Sequence, residues 1–242
     1  MIKKILLLLL CLCLLVTVAA CKKDPEPTPT PDIGGSEGGD TEEDESTLRF
    51  TYPIENTNVF IEVHKGGLLY VKGTGAVPDF EYTYDQPWYE HGGDSPTERS
   101  DREGGTLLVT KIFVEEGITE IGENAFSEMK RLQTVSLPST LRVIAYKGFS
   151  DCRNLHTVTG GNGITTIEAS AFRDCNQLTA IDLSSALTLV EESAFDNIIP
   201  NGVNRTLAVT FKGSGSDWQT LIDSHTQLGN DDFKNASVTY TP

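Results

Sequence analysis

The sequence has little positive charge. It contains 19 Lys and Arg residues against 35 Asp and Glu, which gives a formal net charge of −16. Nucleic acids need a basic patch on their protein partner, and anionic lipid head groups attract basic residues, so this balance argues against both as direct partners. The 4 histidines occur in no metal-ligand spacing, and no three-glycine dinucleotide loop is present. The sequence therefore predicts no enzymatic activity, no catalytic residue, no metal and no cofactor.

Cysteine is scarce beyond the N-terminal region. Only Cys152 and Cys175 follow residue 21, and they lie 23 residues apart. Met129 and Ile198 continue the same spacing, so the position favours a small apolar side chain in a core. We expect two buried free thiols. A disulfide stays open as the alternative in an oxidising compartment, because stacked strands bring such positions within about 5 Å.

The first 20 residues are typical of a secretory signal, with a basic start and an apolar run too short to span a membrane. The signal ends in Val18-Ala19-Ala20-Cys21, which resembles the lipobox of bacterial lipoproteins. The resemblance implies that Cys21 carries lipid and becomes the new N-terminus, so that the lipid anchors the mature protein. An ordinary cleaved signal with an incidental cysteine is the alternative.

Residues 21–47 are predicted to form a disordered tether. The segment is rich in Pro, Gly and acidic residues and holds one aliphatic side chain after Cys21, Ile33. It cannot bury enough apolar surface to offset the entropy of ordering, and we interpret it as a spacer. Its start, Lys22-Lys23-Asp24, resembles surface-export signals of some Gram-negative lipoproteins.

A period of 23 residues organises the middle of the chain. A fixed period of this length predicts a solenoid, in which each repeat is one coil stacked on the next. Within a coil, inward and outward side chains alternate along a strand that Pro138 ends, because proline cannot donate a ladder hydrogen bond. The apolar columns are Ile112, Val135, Val158 and Ile181; Ile118, Leu141, Ile164 and Leu187; Ile121, Ile144, Ile167 and Val190; Phe126, Phe149, Phe172 and Phe195; and Leu132, Leu155 and Leu178.

The repeat unit resembles a known family. Leu132-x-x-Val135-x-Leu137-Pro138-x-x-Leu141-x-x-Ile144, followed by Ala or Gly with Phe and then Cys, is similar to the BspA-type leucine-rich repeat of bacterial surface proteins. Residues 67–80 and 209–240 are similar to the units that flank such repeats. The resemblance implies a short right-handed leucine-rich-repeat solenoid, mainly β or α/β in class. We expect repeats at 112–206 between β-rich caps at 48–111 and 207–242.

Local patterns give further expectations. Alternation predicts strands at 48–52, 59–63, 68–71 and 107–114, with a turn at Gly73-Thr74-Gly75 and a mobile loop at 91–105. Gly160 and Gly161 replace the Leu-Pro pair of the repeat, which predicts a bulge or a looser core. Residues 218–228 are predicted to form a helix with Asp217 as its N-cap.

The stacked strands predict one candidate binding face. Solenoids commonly bind through such a sheet, although an ordinary solvated Thr-rich surface is the alternative. The lipoprotein signal and the solenoid architecture favour a cell-surface recognition or adhesion lipoprotein for a protein or glycan ligand, anchored to the bacterial outer membrane through Cys21. The family resemblance implies binding to a host or partner protein. A periplasm-facing structural or assembly lipoprotein is the alternative. The outward residues form two columns: Lys111, Thr134, Thr157 and Ala180, and beside them Phe113, Ser136, Thr159 and Asp182.

Overall fold

The computed structural model describes residues 48–88 and 109–242. The predicted signal, the predicted lipidation site Cys21, the predicted tether and the loop at 91–105 lie outside these residues. No helix in the described part of the chain is long and apolar enough to cross a membrane.

Strands dominate the described residues, as the period predicts. The strands are β1 Leu48–Pro53, β2 Asn58–His64, β3 Leu68–Val77, β4 Lys111–Val114, β5 Ile118–Ile121, β6 Thr134–Leu137, β7 Val143–Ile144, β8 Thr157–Gly160, β9 Thr166–Ile167, β10 Ala180–Ser184, β11 Leu189–Val190, β12 Ala208–Lys212 and β13 Ser237–Thr241. The helices are α1 Gly215–Ser224 and α2 Asp231–Lys234, and single 3-10 turns lie at Lys65–Gly67 and Thr83–Asp85.

Each coil contributes one strand to each of two sheets. The first sheet has the order β1-β2-β3-β4-β6-β8-β10-β12-β13, and the second has the order β3-β5-β7-β9-β11. Pairing is parallel throughout the repeats, whereas the β1–β2 and β2–β3 pairs are antiparallel. The chain is therefore a solenoid built of stacked coils, as predicted.

The alternation along β6 shows why the sequence forms this coil. Val135 and Leu137 are 1% and 5% exposed, whereas Thr134 and Ser136 between them are partly exposed. Inward side chains therefore fill the coil, and the strand ends at Leu137, immediately before Pro138. The five apolar columns predicted from the period are all buried.

A column of stacked aromatic rings runs through the core. Phe149 and Phe172 have ring centroids 5.5 Å apart, and Phe172 and Phe195 are 5.2 Å apart. Trp88 stacks on Phe126 at 5.4 Å at one end, and Phe233 stacks on Phe195 at 4.6 Å at the other. We call this column, Trp88, Phe126, Phe149, Phe172, Phe195 and Phe233, the aromatic spine.

Backbone hydrogen bonds join the coils on a third side. The Phe149 N–H donates to Ala171 O at 2.9 Å, and the Phe172 N–H donates to Ala194 O at 2.7 Å. These bonds, added to the two sheets, supply the neighbour interactions that no single coil could provide alone. The turns that make them place two columns in the left-handed region: Asn124, Lys147, Ser170 and Ser193, and Glu128, Asp151, Asp174 and Asn197.

Side chains replace the next coil at the C-terminal end. The Phe195 N–H donates to Asn230 Oδ1 at 2.9 Å, and the Ile199 N–H donates to Asp232 Oδ2 at 3.0 Å. Helix α1 begins after Ser214, whose hydroxyl accepts from the Asp217 N–H, so Asp217 is not the N-cap and that prediction was wrong. Asp217 instead closes a capping box three positions later, where its carboxylate accepts from the Ser214 N–H.

Other expectations also need correction. Gly73 and Gly75 do not end β3, because their φ angles of 105° and 100° bend one continuous strand from the first sheet into the second. Strand β4 begins at Lys111 rather than at residue 107, and residues 107–108 lie outside the described part. At Gly160 no register shift marks the predicted bulge; instead, β8 pairs with β10 only through Thr157 and Val158, while Gly160 still pairs with Leu137 of β6.

Candidate functional site

The outward columns of the first sheet lie where the sequence predicts. Lys111 pairs with Thr134, Thr134 with Thr157, and Thr157 with Ala180. In the second column, Ser136 pairs with both Phe113 and Thr159. Asp182 lies one coil further on, beyond the last β8–β10 pair, and its Oδ2 accepts from the Gly160 N–H at 3.2 Å. The structure therefore brings all eight predicted residues to one surface.

The middle of this surface carries no charge. Thr134, Ser136, Thr157 and Ala180 are partly exposed, and Thr159 is exposed. We call these five residues the hydroxyl strip, although Ala180 itself has no hydroxyl. Four of the five side chains can both donate and accept hydrogen bonds. The chain has a net charge of −16, and none of that charge lies on these five side chains.

An aromatic pair borders the strip on its N-terminal side. Tyr70, on β3, stacks on Phe113 with ring centroids 5.0 Å apart and planes 18° apart. His64 meets the Tyr70 ring edge-on at 4.8 Å, and Lys72 Nζ lies 5.4 Å from its centroid. Phe113 is therefore partly buried rather than exposed, because Tyr70 covers one of its faces.

One ammonium and two carboxylates lie beside the aromatic pair. Lys72 Nζ lies 2.9 Å from Glu62 Oε2 and 3.6 Å from Glu115 Oε1. The hydrogen bond from Lys72 lowers the pKa of Glu62, and the same bond raises the pKa of Lys72. Both groups are thus held in their charged forms as a neutral pair, and Glu115 leaves one negative charge beside it.

The side of the coil that carries the second sheet is acidic by contrast. Glu120 lies on β5 and Glu168 follows β9, and burial raises the pKa of both carboxyls. Nearby carboxylates, Asp79 for the first and Glu191 for the second, raise the pKa further. Within residues 48–88 and 109–242, no group of His, Cys, Asp and Glu is arranged to hold a metal ion.

Cys152 and Cys175 are buried free thiols, as the first of the two readings predicts. The Cys152 thiol donates to Phe126 O and the Cys175 thiol to Phe149 O, each at 3.1 Å. Burial raises the pKa of the Cys175 thiol well above its ordinary value, so the reactive thiolate is disfavoured. These thiols pack the core and take no part in the candidate site.

Sequence reasoning missed Tyr70, His64 and Lys72. These residues lie in a flanking unit outside the 23-residue period, so no repeat column includes them. The available signal was the alternation of Leu69 and Val71 with Tyr70, which places the tyrosine outward once β3 is set beside β4.

The two sheets, the stacked coils and the repeated turns define a leucine-rich-repeat solenoid. Residues 105–204 match the family described as the BspA type leucine rich repeat region, in 6 copies. This segment therefore belongs to the BspA-type leucine-rich-repeat family.

Similar solved structures are bacterial repeat proteins. A leucine-rich repeat protein from Eubacterium ventriosum is 21% identical, with a TM-score of 0.49, over 69% of this chain and 45% of that one. A leucine rich cell surface protein from Faecalibacterium prausnitzii is 20% identical, with a TM-score of 0.45, over 69% of this chain and 40% of that one. The chain thus spans less than half the length of either protein. No curated protein matches the sequence.

Proposed function

We propose that the protein is a non-catalytic recognition protein that binds a protein or glycan ligand on the outward face of the first sheet. The observation that carries the proposal is the hydroxyl strip, an uncharged surface shared by three successive coils and bordered by Phe113. A rigid parallel sheet presents these side chains in fixed positions, so binding costs little ordering entropy. Solenoids use extended faces of this kind to bind their partners.

The proposed setting is the bacterial cell surface. Its support is the sequence of the N-terminal region: a lipid on Cys21 would anchor the chain, and the Pro- and acid-rich tether would hold the repeats away from the membrane. In that position the recognition face would serve adhesion to a partner outside the cell. The acidic balance of the chain is compatible with this role because it disfavours adsorption to anionic lipid.

A matched pair of substitutions tests the face. Thr157→Arg places a long cationic side chain in the middle of the hydroxyl strip. Thr166→Arg places the same side chain on the second sheet of the same coil, and both threonines are partly exposed. Ligands are first sought on arrays of glycans and matrix proteins. Loss of binding by Thr157→Arg alone is expected, and equal binding by both variants would reject the face.

Protease treatment of intact cells tests the setting. A surface-exposed chain is expected to be cleaved without lysis. Protection until the outer membrane is opened would favour a periplasm-facing structural or assembly role and would contradict adhesion to outside partners.

A further inference from the structure

We propose that the ligand is a neutral glycan and that one of its pyranose rings packs on the uncovered face of Phe113. This inference rests on the proposed function and adds the chemical class of the ligand. It depends on the position of Phe113 between Tyr70 and the hydroxyl strip.

The two faces of the Phe113 ring have different neighbours. Tyr70 stacks on the first face at 5.0 Å, in a nearly parallel arrangement. The next residue along the column is Ser136, whose side chain is too small to cover the second face. Phe113 therefore forms an aromatic wall, and the hydroxyl strip forms a flat floor beside it. The floor extends over Ser136 and Thr159, one strand spacing apart.

This wall and floor match the two chemical faces of a sugar ring. The aliphatic C–H groups of a pyranose pack against the negative face of an aromatic ring, while its hydroxyls need partners that both donate and accept. Thr and Ser side chains provide both capacities, and a flanking aromatic with a few polar groups is a common arrangement in small-ligand sites. Tyr70 supports the wall from behind, with His64 packed edge-on against it.

The charge distribution favours a neutral sugar over a charged chain. No charged side chain lies within the strip, and of the two lysines at its border, Lys111 and Lys72, the ammonium of Lys72 is paired with Glu62 at 2.9 Å. An acidic polysaccharide would find no unpaired basic cluster there, since Lys111 stands alone at the border. A basic peptide would meet the Asp182 carboxylate, which already accepts from Gly160, and the Glu62 and Glu115 carboxylates, which already share Lys72.

The test uses the full chain and four immobilised neutral polysaccharides, a glucan, a mannan, a galactan and a xylan, with dextran sulfate as the anionic comparison. We expect the native chain to bind at least one neutral polysaccharide. Phe113→Leu should lower that affinity about tenfold, which is the effect of losing one aromatic ring contact. Phe113→Tyr should retain binding because it keeps the ring. Tyr146→Leu is the control, since Tyr146 is 38% exposed and lies outside the first sheet. Raising the salt concentration should not weaken binding to a neutral ligand.

The outcomes separate this inference from the proposed function. If no neutral polysaccharide binds, or if Phe113→Leu and Tyr146→Leu bind alike, the glycan assignment is wrong. A deglycosylated matrix protein that binds to the native chain but not to Thr157→Arg would keep the recognition face and overturn only the ligand class. Thermal unfolding of each variant, expected to match the native chain, excludes misfolding as the cause of any loss.

Discussion

The aromatic spine predicts that core substitutions interact only with the next coil. Phe172 is fully buried between Phe149 and Phe195, with ring centroids at 5.5 and 5.2 Å. Phe172→Ala is expected to lower the free energy of unfolding by about 3–5 kcal/mol, since it removes buried area and leaves a cavity. Phe172→Leu retains much of the apolar volume and loses two ring pairs, which corresponds to about 1–3 kcal/mol.

Double-substitution cycles then measure the range of the interaction. Phe149→Leu combined with Phe172→Leu should show a coupling energy of about 0.5–1.5 kcal/mol, because the two rings are in contact. Phe126→Leu combined with Phe195→Leu should be additive within about 0.5 kcal/mol, because two other rings separate them. Urea unfolding followed by circular dichroism gives each value. Equal coupling in the two cycles would refute the stacked arrangement of the coils.

Three further substitutions test other parts of the coil. Gly160→Ala should lower the free energy of unfolding by about 1–3 kcal/mol, because φ is +81° and a Cβ would overlap a carbonyl of the preceding coil. Gly202→Ala is the control: its φ is +83°, but open space surrounds it, so this substitution should cost less. Asn230→Ala should cost about 1–3 kcal/mol in urea unfolding, because the buried Phe195 N–H loses its acceptor; an unchanged midpoint would be contrary to this capping role. Burial raises the pKa of the Glu168 carboxyl, so the folded chain binds this proton more tightly than the unfolded chain. The free energy of unfolding therefore falls as the pH rises through the folded pKa and the carboxyl becomes charged. Glu168→Gln should therefore raise the melting temperature at about pH 7, by an amount that shrinks towards about pH 4; a gain independent of pH would argue against this cause.

The repeats could be predicted from the sequence because packing forces like side chains into like positions. A coil of fixed length stacks only when its inward residues recur at one period. The 23-residue spacing therefore predicts the pairing of Val135 with Val158. The outward columns follow from the same register, since side chains alternate along a strand. This is why the eight residues of the candidate face were found without a structure.

The ends of the solenoid could not be predicted in the same way. Trp88 and Phe233 extend the spine from outside the period, so no spacing indicates that they meet Phe126 and Phe195. Asn230 replaces a backbone acceptor with a side chain, which only the folded cap reveals. The candidate site was incomplete for a related reason: residues 78–110 separate β3 from β4 in the chain, and no repeat spacing connects Tyr70 to Phe113.

Nuclear Overhauser contacts between the phenylalanine rings test the central claim most directly. In a chain with selectively labelled Phe side chains, the stacked coils predict contacts only between consecutive members of the spine, from Phe126 through Phe149, Phe172 and Phe195 to Phe233. Contacts between Phe126 and Phe195, or the absence of contacts between Phe149 and Phe172, would contradict the solenoid on which the recognition face depends.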